Sequence, residues 1–195
     1  MITYLNGKLI EKNPSHIVIE CNGIGYFVNV SLQTYSKIGD KENCKIFTYL
    51  SIKEDSHTLY GFADTQEREL FRQLISVSGV GTNTARMMLS SMTSSELVSS
   101  IASNNVTSIT SIKGIGAKTA QRIILDLKDK ILKTSDALDN KSGLMDNTIK
   151  NEALSALVVL GFDKKSAETA INKVLMKEPT IADVQQIIKK SLKSF

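Results

Sequence analysis

An internal repeat constrains this chain more than any other feature. Val77-Ser78-Gly79-Val80-Gly81-Thr82-Asn83-Thr84-Ala85 returns 35 residues later as Ile112-Lys113-Gly114-Ile115-Gly116-Ala117-Lys118-Thr119-Ala120. Each copy sets a Gly-apolar-Gly turn between two stretches of helical periodicity, with Leu74, Val77, Met88 and Leu89 answering to Ile109, Ile112, Ile123 and Ile124. The glycines permit a tight turn and a close approach by another backbone. The first amides of the helix that follows have no intrahelical partner, and the helix dipole makes them electropositive. Each turn is therefore a candidate seat for a phosphate oxygen. Contacts of that kind position a nucleic-acid backbone without reading its bases.

The candidate phosphate-facing residues are Gly79, Gly81, Thr82, Asn83, Thr84 and Arg86 in the first copy, and Gly114, Gly116, Ala117, Lys118, Thr119 and Arg122 in the second. Lys118, with Lys113 and Arg122 nearby, makes the second copy the more cationic. The first has Asn83 in place of Lys118 and relies on amides and on Thr82 and Thr84, with Arg86 as its nearest cation. A nucleotide-binding loop is the rival reading of such glycines. Neither copy carries the six-residue Gly-Lys-Ser/Thr pattern or follows a Rossmann-type strand, so no nucleotide cofactor is expected.

Charge becomes informative only once it is located. Of 195 residues, 24 are Lys or Arg and 20 are Asp or Glu, a net +4. Residues 1–62 balance to zero, 63–133 carry +3, 134–148 carry −2 and 149–195 carry +3. The excess sits with the repeat and the C-terminal segment, and by itself it does not establish nucleic-acid binding. Two cysteines, Cys21 and Cys44, form neither a disulfide framework nor a paired zinc motif. With no signal-like N-terminus and no apolar run of membrane length, a soluble cytoplasmic protein is expected.

Before the repeat, Lys8–Glu11, His16–Cys21, Tyr26–Val30 and Cys44–Leu50 are short, β-branched or aromatic, and roughly alternating. Five or six such strands within 62 residues protect their edges best by curling into a small barrel of the OB type. From Thr65 the period turns helical and continues to Lys133. Residues 134–148 lack periodicity and are rich in Ser, Asp and Asn, which predicts a linker. Three short helices follow over 149–195. The expected fold class is α+β and multidomain: an N-terminal OB-like barrel over 1–62, a central all-α tandem helix-hairpin-helix domain over 63–133, the linker, and a small three-helix domain.

Ordered motifs along nearly the whole chain then point to one family. Glu20-Cys21-Asn22-Gly23-Ile24-Gly25-Tyr26, Lys53-Glu54-Asp55, Leu59-Tyr60-Gly61-Phe62, Gln66-Glu67-Arg68-Glu69-Leu70-Phe71, both hairpins, Lys128-Asp129, Glu152-Ala153-Leu154 and Leu160-Gly161-Phe162 together resemble the RuvA family. The resemblance implies a homotetramer that holds four-way (Holliday) junction DNA open and square in recombination and repair, with one or two tetramers on the junction left open. It implies as partners the hexameric RuvB ATPase, which drives branch migration, and the resolvase RuvC, and it implies no catalytic residue, metal or cofactor in this chain. Glu54 and Asp55 match the family's acidic pin at the tetramer centre. The third domain would contact RuvB, with Leu157, Leu160 and Phe162 as candidate docking residues.

Two other readings compete. Glu54, Asp55 and Asp64 could bind a metal in a helix-hairpin-helix nuclease or repair accessory, although the adjacent Glu54 and Asp55 side chains in an extended loop point opposite ways and no His cluster beyond His57 is evident. A single-strand binder of the OB type needs exposed aromatic platforms, whereas Tyr26, Phe27, Phe47 and Tyr49 read as partly committed to the barrel core. The clearest departure from the family pattern is Thr82-Asn83 where relatives carry Pro-Lys. Restoring the cation with Asn83→Lys should steepen the salt dependence of DNA binding, by about 0.9 in the log–log slope for each phosphate newly neutralised. Titrations of both proteins at several salt concentrations check this, and identical slopes contradict it.

Overall fold

The computed structural model describes residues 1–39, 42–139, 145–178, 181 and 183–194, with backbone alone over 132–139 and 145–148. The chain divides into two compact units, Met1–Asp136 and Ala137–Phe195.

In the first unit, β1 (Tyr4–Lys12), β2 (His16–Cys21), β3 (Ile24–Val30), β4 (Asn43–Ile52) and β5 (His57–Phe62) close into a barrel in the order β1-β2-β3-β5-β4. All pairings are antiparallel except β3 with β5. Alternation explains the inside: Leu5, Ile17, Ile19, Val28, Val30 and Ile46 fill it. At Gly61 any Cβ would stand 2.6 Å from Ile46 Cδ1 and Val28 Cγ1, so β5 passes close to the packed interior.

Between β3 and β4 lies α1 (Leu32–Lys37), which the periodicity does not signal. It is one and a half turns long, too short for an apolar repeat to register. Its local mark is the N-cap Ser31, whose hydroxyl accepts from Thr34 N at 3.0 Å.

Helices α2 (Thr65–Ile75), α3 (Thr82–Ser91), α4 (Ser94–Ala102), α5 (Val106–Thr110) and α6 (Ala117–Asp139) follow. They do not form a separate body from the barrel. Fully buried Phe71 of α2 packs against three strand aromatics, Tyr49, Tyr60 and Phe62, at ring separations of 5.4, 5.2 and 4.9 Å. Tyr60 and Phe62 thus belong to the same core as Leu74, Val77, Met88, Leu97, Ile109 and Leu127. Tyr49 faces this core as well and not the barrel interior. Phe27, expected to be partly committed to the barrel core, is 55% exposed and stacks on His16 at 4.4 Å. It shares the outward phase of β3 with its pairing partner Val18, because alternation assigns the inside to Val28 and Val30.

A buried carboxylate accompanies the aromatic joint. Glu67 on α2 accepts from the hydroxyls of Ser31 and of Thr34, the latter at 2.7 Å, and Thr34 Oγ1 in turn accepts from Ala63 N at 3.2 Å. Burial pushes the Glu67 carboxyl up, against the two hydroxyl donors that favour its charged form. Next to it, Asp64 caps α2 by accepting from Glu67 N at 2.7 Å and pairs with Lys37 Nζ at 2.8 Å. Burial raises Asp64 too, but the Lys37 bond and the backbone amides outweigh it and hold this carboxyl below its ordinary range.

Helical backbone in α6 continues to Asp139 and α7 begins at Met145, so both ends of the linker expected over 134–148 are helical. The centre of that expected linker, 140–144, lies outside the described residues. In the second unit, α7 (Met145–Val159), α8 (Lys164–Lys177) and α9 (Val184–Leu192) enclose Ala153, Leu157, Ala167, Ile171 and Ile187. Gly161, at φ +98, ends α7: Phe162 N donates to Leu157 O and Gly161 N to Val158 O. No described helix is long and apolar enough to cross a membrane.

The raised Glu67 carboxyl has a definite linkage sign. The folded state holds this proton more tightly than the unfolded chain, so Glu67 favours folding less as pH rises from the ordinary carboxylate range through its raised value. The difference in unfolding free energy between the parent and Glu67→Gln should therefore move against the parent over that window. Denaturant titrations at stepped pH check this, and a difference independent of pH contradicts it.

Candidate nucleic-acid interface

The two repeat units fold alike. In the first, Val77 N donates to Leu74 O and Val80 N to Val77 O, at 3.1 and 3.0 Å. In the second, Ile112 N donates to Ile109 O and Ile115 N to Ile112 O, at 3.3 and 3.1 Å. Val80 and Ile115, the residues between the glycines, point into the core and anchor each turn. The first glycines, Gly79 and Gly114, have φ of +92 and +89, a region that a side chain disfavours. The second glycines do not. Gly81 has φ −83, and neither Gly81 nor Gly116 would bring a Cβ within 4 Å of any protein atom. Neither backbone strain nor packing requires glycine at these two positions, although glycine is a favoured residue at a helix N-cap, the place that Gly81 takes.

Capping sets the two hairpin helices apart. Helices α1, α2, α4, α5, α8 and α9 each have a Ser, Asp, Thr or Asn side chain on their first amides. The hairpin helices begin differently: α3 has Gly81 at its N-cap and no side-chain cap, and α6 follows Gly116. In both, the glycine carbonyl starts the helical ladder, accepting from Ala85 N at 2.9 Å and from Ala120 N at 3.0 Å. Ahead of that bond, the first amides of α3 have no side-chain acceptor.

The expected side chains separate into two groups. Lys118 and Lys113 are exposed and form no ion pair among the described residues, and Thr119 and Ala117 stand at the same helix start. Arg122 is exposed but faces Asp126 at 3.9 Å, which tempers its charge. In the first hairpin the side chains turn instead to the barrel. Tyr60 Oη donates to Thr82 Oγ1 at 2.9 Å and stands 3.3 Å from Asn83 Oδ1. Arg86 Nη1 donates to Ser15 O at 3.1 Å and to Asn29 Oδ1 at 3.0 Å. Arg86 is therefore a strut between α3 and the barrel, not the open cation that its spacing suggests. Thr84 remains half-buried at the helix start. Tyr60, Ser15 and Asn29 are not among the residues that the sequence singles out. The only available signal is the position of Tyr60 in Leu59-Tyr60-Gly61-Phe62, since a contact over 22 residues leaves no periodic trace.

Glu54 and Asp55 form the exposed tip of the β4–β5 hairpin. Lys53 and Ser56 close it, with Lys53 N donating to Ser56 O at 2.9 Å. Asp64 lies elsewhere, engaged with Lys37 and the α2 amides. Among the described residues, no group of three or more His, Cys, Asp or Glu is arranged to hold a metal ion.

In the second unit, Leu157 is fully buried at the centre of the core, so it cannot line an exposed docking face. The helical phase explains this, since Ala153 and Leu157 lie one turn apart on the inner side of α7. Phe162 packs partly against the core, whereas Leu160 is 60% and Val159 86% exposed.

Comparison with known families and proteins agrees with this architecture. The family description "RuvA N terminal domain" matches residues 1–61, "SAM-like Helix-hairpin-helix tandem" matches 71–129, and "RuvA, C-terminal domain" matches 148–194. A protein of Christiangramia forsetii named Holliday junction branch migration complex subunit RuvA is 57% identical over 193 residues, covering 99% of each chain. Relatives of the same name from Flavobacterium psychrophilum and Bacteroides fragilis are 54% and 48% identical. They cover 100% and 99% of both chains respectively.

The different demands on the glycines are separable by stability. Gly79→Ala and Gly114→Ala should each destabilise the fold by about 1–2 kcal/mol through the left-handed backbone they require. Gly81→Ala and Gly116→Ala should cost less, about 0.5 kcal/mol each, through the poorer cap that Ala makes at a helix start. Thermal or denaturant unfolding checks both pairs, and equal losses at all four positions contradict this account.

Proposed function

Since the chain belongs to the RuvA family, we propose that it binds four-way Holliday-junction DNA as a homotetramer and holds the junction open for branch migration in recombination and repair. One repeated observation supports this reading: two helix starts follow glycine, where six other described helices carry a capping side chain, so their first amides are left for an outside group. Such donors fit phosphate oxygens and are indifferent to sequence, as a protein acting on any junction requires. Gly79, Gly81, Thr82, Thr84, Gly114, Gly116, Ala117 and Thr119 supply this backbone contact. Lys118, Lys113 and Arg122 add charge to the second hairpin, and Asn83 adds an amide to the first.

Glu54 and Asp55 act by repulsion. Four copies of the tip around a four-fold centre oppose the phosphates that converge at the crossover. A carboxylate about 6 Å from a phosphate, at an effective dielectric of about 20, is disfavoured by roughly 3 kcal/mol. The strands are kept apart there and held along the arms.

The chain acts as a non-catalytic, cytoplasmic subunit. Strand movement is driven by RuvB, and the resolvase RuvC works on the same junction. The second unit is the contact for RuvB, through the apolar end of α7 formed by Val158, Val159 and Leu160, with Phe162 bracing it from below. The nuclease reading is the weaker one, because Asp64 is committed as a helix cap away from the Glu54–Asp55 tip.

The test is incubation of the chain with Mg²⁺ and either a synthetic four-way junction or a linear duplex of equal length. A retarded, uncleaved junction band, a native mass of four chains and weaker duplex binding are expected. With Glu54→Gln combined with Asp55→Asn, duplex binding should tighten several-fold while the junction remains bound. Cleavage of the junction that disappears in Glu54→Gln would overturn the proposal.

A further inference from the structure

We infer that Tyr60 is a positioning residue that makes the first hairpin a fixed gauge of distance from the acidic tip, leaving the second hairpin to supply charge-driven affinity. This rests on the junction-binding reading above and assigns different tasks to two motifs that look equivalent in sequence.

Three observations carry it. First, the side chains of the first hairpin that could meet DNA are held by the barrel. Thr82 and Asn83 face the phenol of Tyr60, and Arg86 is anchored on Ser15 O and Asn29 Oδ1. Asn29 Nδ2 reaches back to Leu59 O on β5, and Leu32 N donates to Ser90 Oγ farther along α3. Second, the holder is itself rigid. Tyr60 is 5% exposed, lies in the middle of β5 and packs on Phe71 at 5.2 Å. Third, the second hairpin has no counterpart to this clasp. Among the described residues, no barrel side chain bonds to Ala117, Lys118 or Thr119, and the nearest polar tie of α6 is Lys128 Nζ to Asn104 Oδ1 at 3.1 Å.

Strand β5 therefore carries both ends of the gauge. It leaves the Glu54–Asp55 tip at His57 and reaches the clasp at Tyr60. From His57 to Tyr60, three residue steps of β5 at about 3.3 Å each set the clasp back about 10 Å from the turn that bears Glu54 and Asp55. A DNA arm satisfies the first hairpin only if its phosphate lies at that setback from the point where the tip parts the strands. A linear duplex has no such point. The hydroxyl of Tyr60 accordingly contributes to discrimination between junction and duplex, while Lys118 contributes to the strength of binding to both.

The test is Tyr60→Phe, which removes the hydroxyl and keeps the ring against Phe71, measured beside Lys118→Ala on junction and duplex at several salt concentrations. Thr82→Val breaks the same bond from the hairpin side and replaces Tyr60→Phe should that variant unfold. Loss of one bond to the hairpin should lower the junction-over-duplex preference by about five- to tenfold. The salt slope should stay at the parental value, because the same phosphates remain neutralised. Lys118→Ala should weaken both complexes and flatten the slope by about 0.9 for each phosphate it leaves without a cation, while keeping the preference. An unchanged preference in a folded Tyr60→Phe protein, or a slope that falls as in Lys118→Ala, overturns the inference. A parent chain with no preference for the junction defeats the junction-binding reading itself, which separates the two failures.

Discussion

The packing of Phe71 into the wall formed by Tyr49, Tyr60 and Phe62 is the contact on which the rest of the first unit depends. A small barrel and a pair of helical hairpins each have an apolar face that must be covered, and here one aromatic cluster covers both. Truncating a fully buried Phe costs about 3–5 kcal/mol, a large share of the stability of an ordinary domain. The joint also fixes orientation. Glu67 crosses from α2 to the hydroxyls around α1, and Tyr60 and Arg86 cross between the barrel and α3. A buried carboxylate with such partners is costly to place and costlier to leave unpaired, so it specifies one docking of helix on barrel. The tip and the hairpins consequently belong to one rigid arrangement.

That rigidity gives meaning to a modest net charge. A net charge of +4 does not by itself mark a DNA-binding chain. In the proposed complex the amides at two helix starts would supply directed donors, the exposed lysines of the second hairpin long-range attraction, and the acidic tip repulsion where strands converge. Attraction and repulsion act on the same polymer at different points, so selectivity depends on the distance between them, and that distance is set by packed strands and helices.

Much of this is legible in the sequence, for identifiable reasons. The duplicated Gly-apolar-Gly turns, the alternation in β2 and the burial of Val80 and Ile115 follow from periods of two and 3.6 residues, which local sequence encodes directly. What stays hidden depends on contacts between segments far apart in the chain. Arg86 looks like a free cation until Ser15 and Asn29 are brought beside it. Phe27 looks like core until its phase on β3 is set by pairing with β2. Leu157 differs from Leu160 only in helical phase, and α1 is too short for any period to emerge. A tight turn would explain the second glycines as well as the first. Only the first glycines have the left-handed backbone that such a turn demands, a difference that local sequence does not show.

In the proposed complex the chain holds DNA arms by backbone phosphates at helix starts, set back from a crossover guarded by carboxylates. Interference mapping on a four-way junction carrying single uncharged methylphosphonate linkages tests it most directly. Binding should be impaired at a few phosphates on each arm, set back from the crossover, and unimpaired or improved when linkages at the crossover are neutralised. Interference concentrated at the crossover, or spread evenly along the arms, would contradict it.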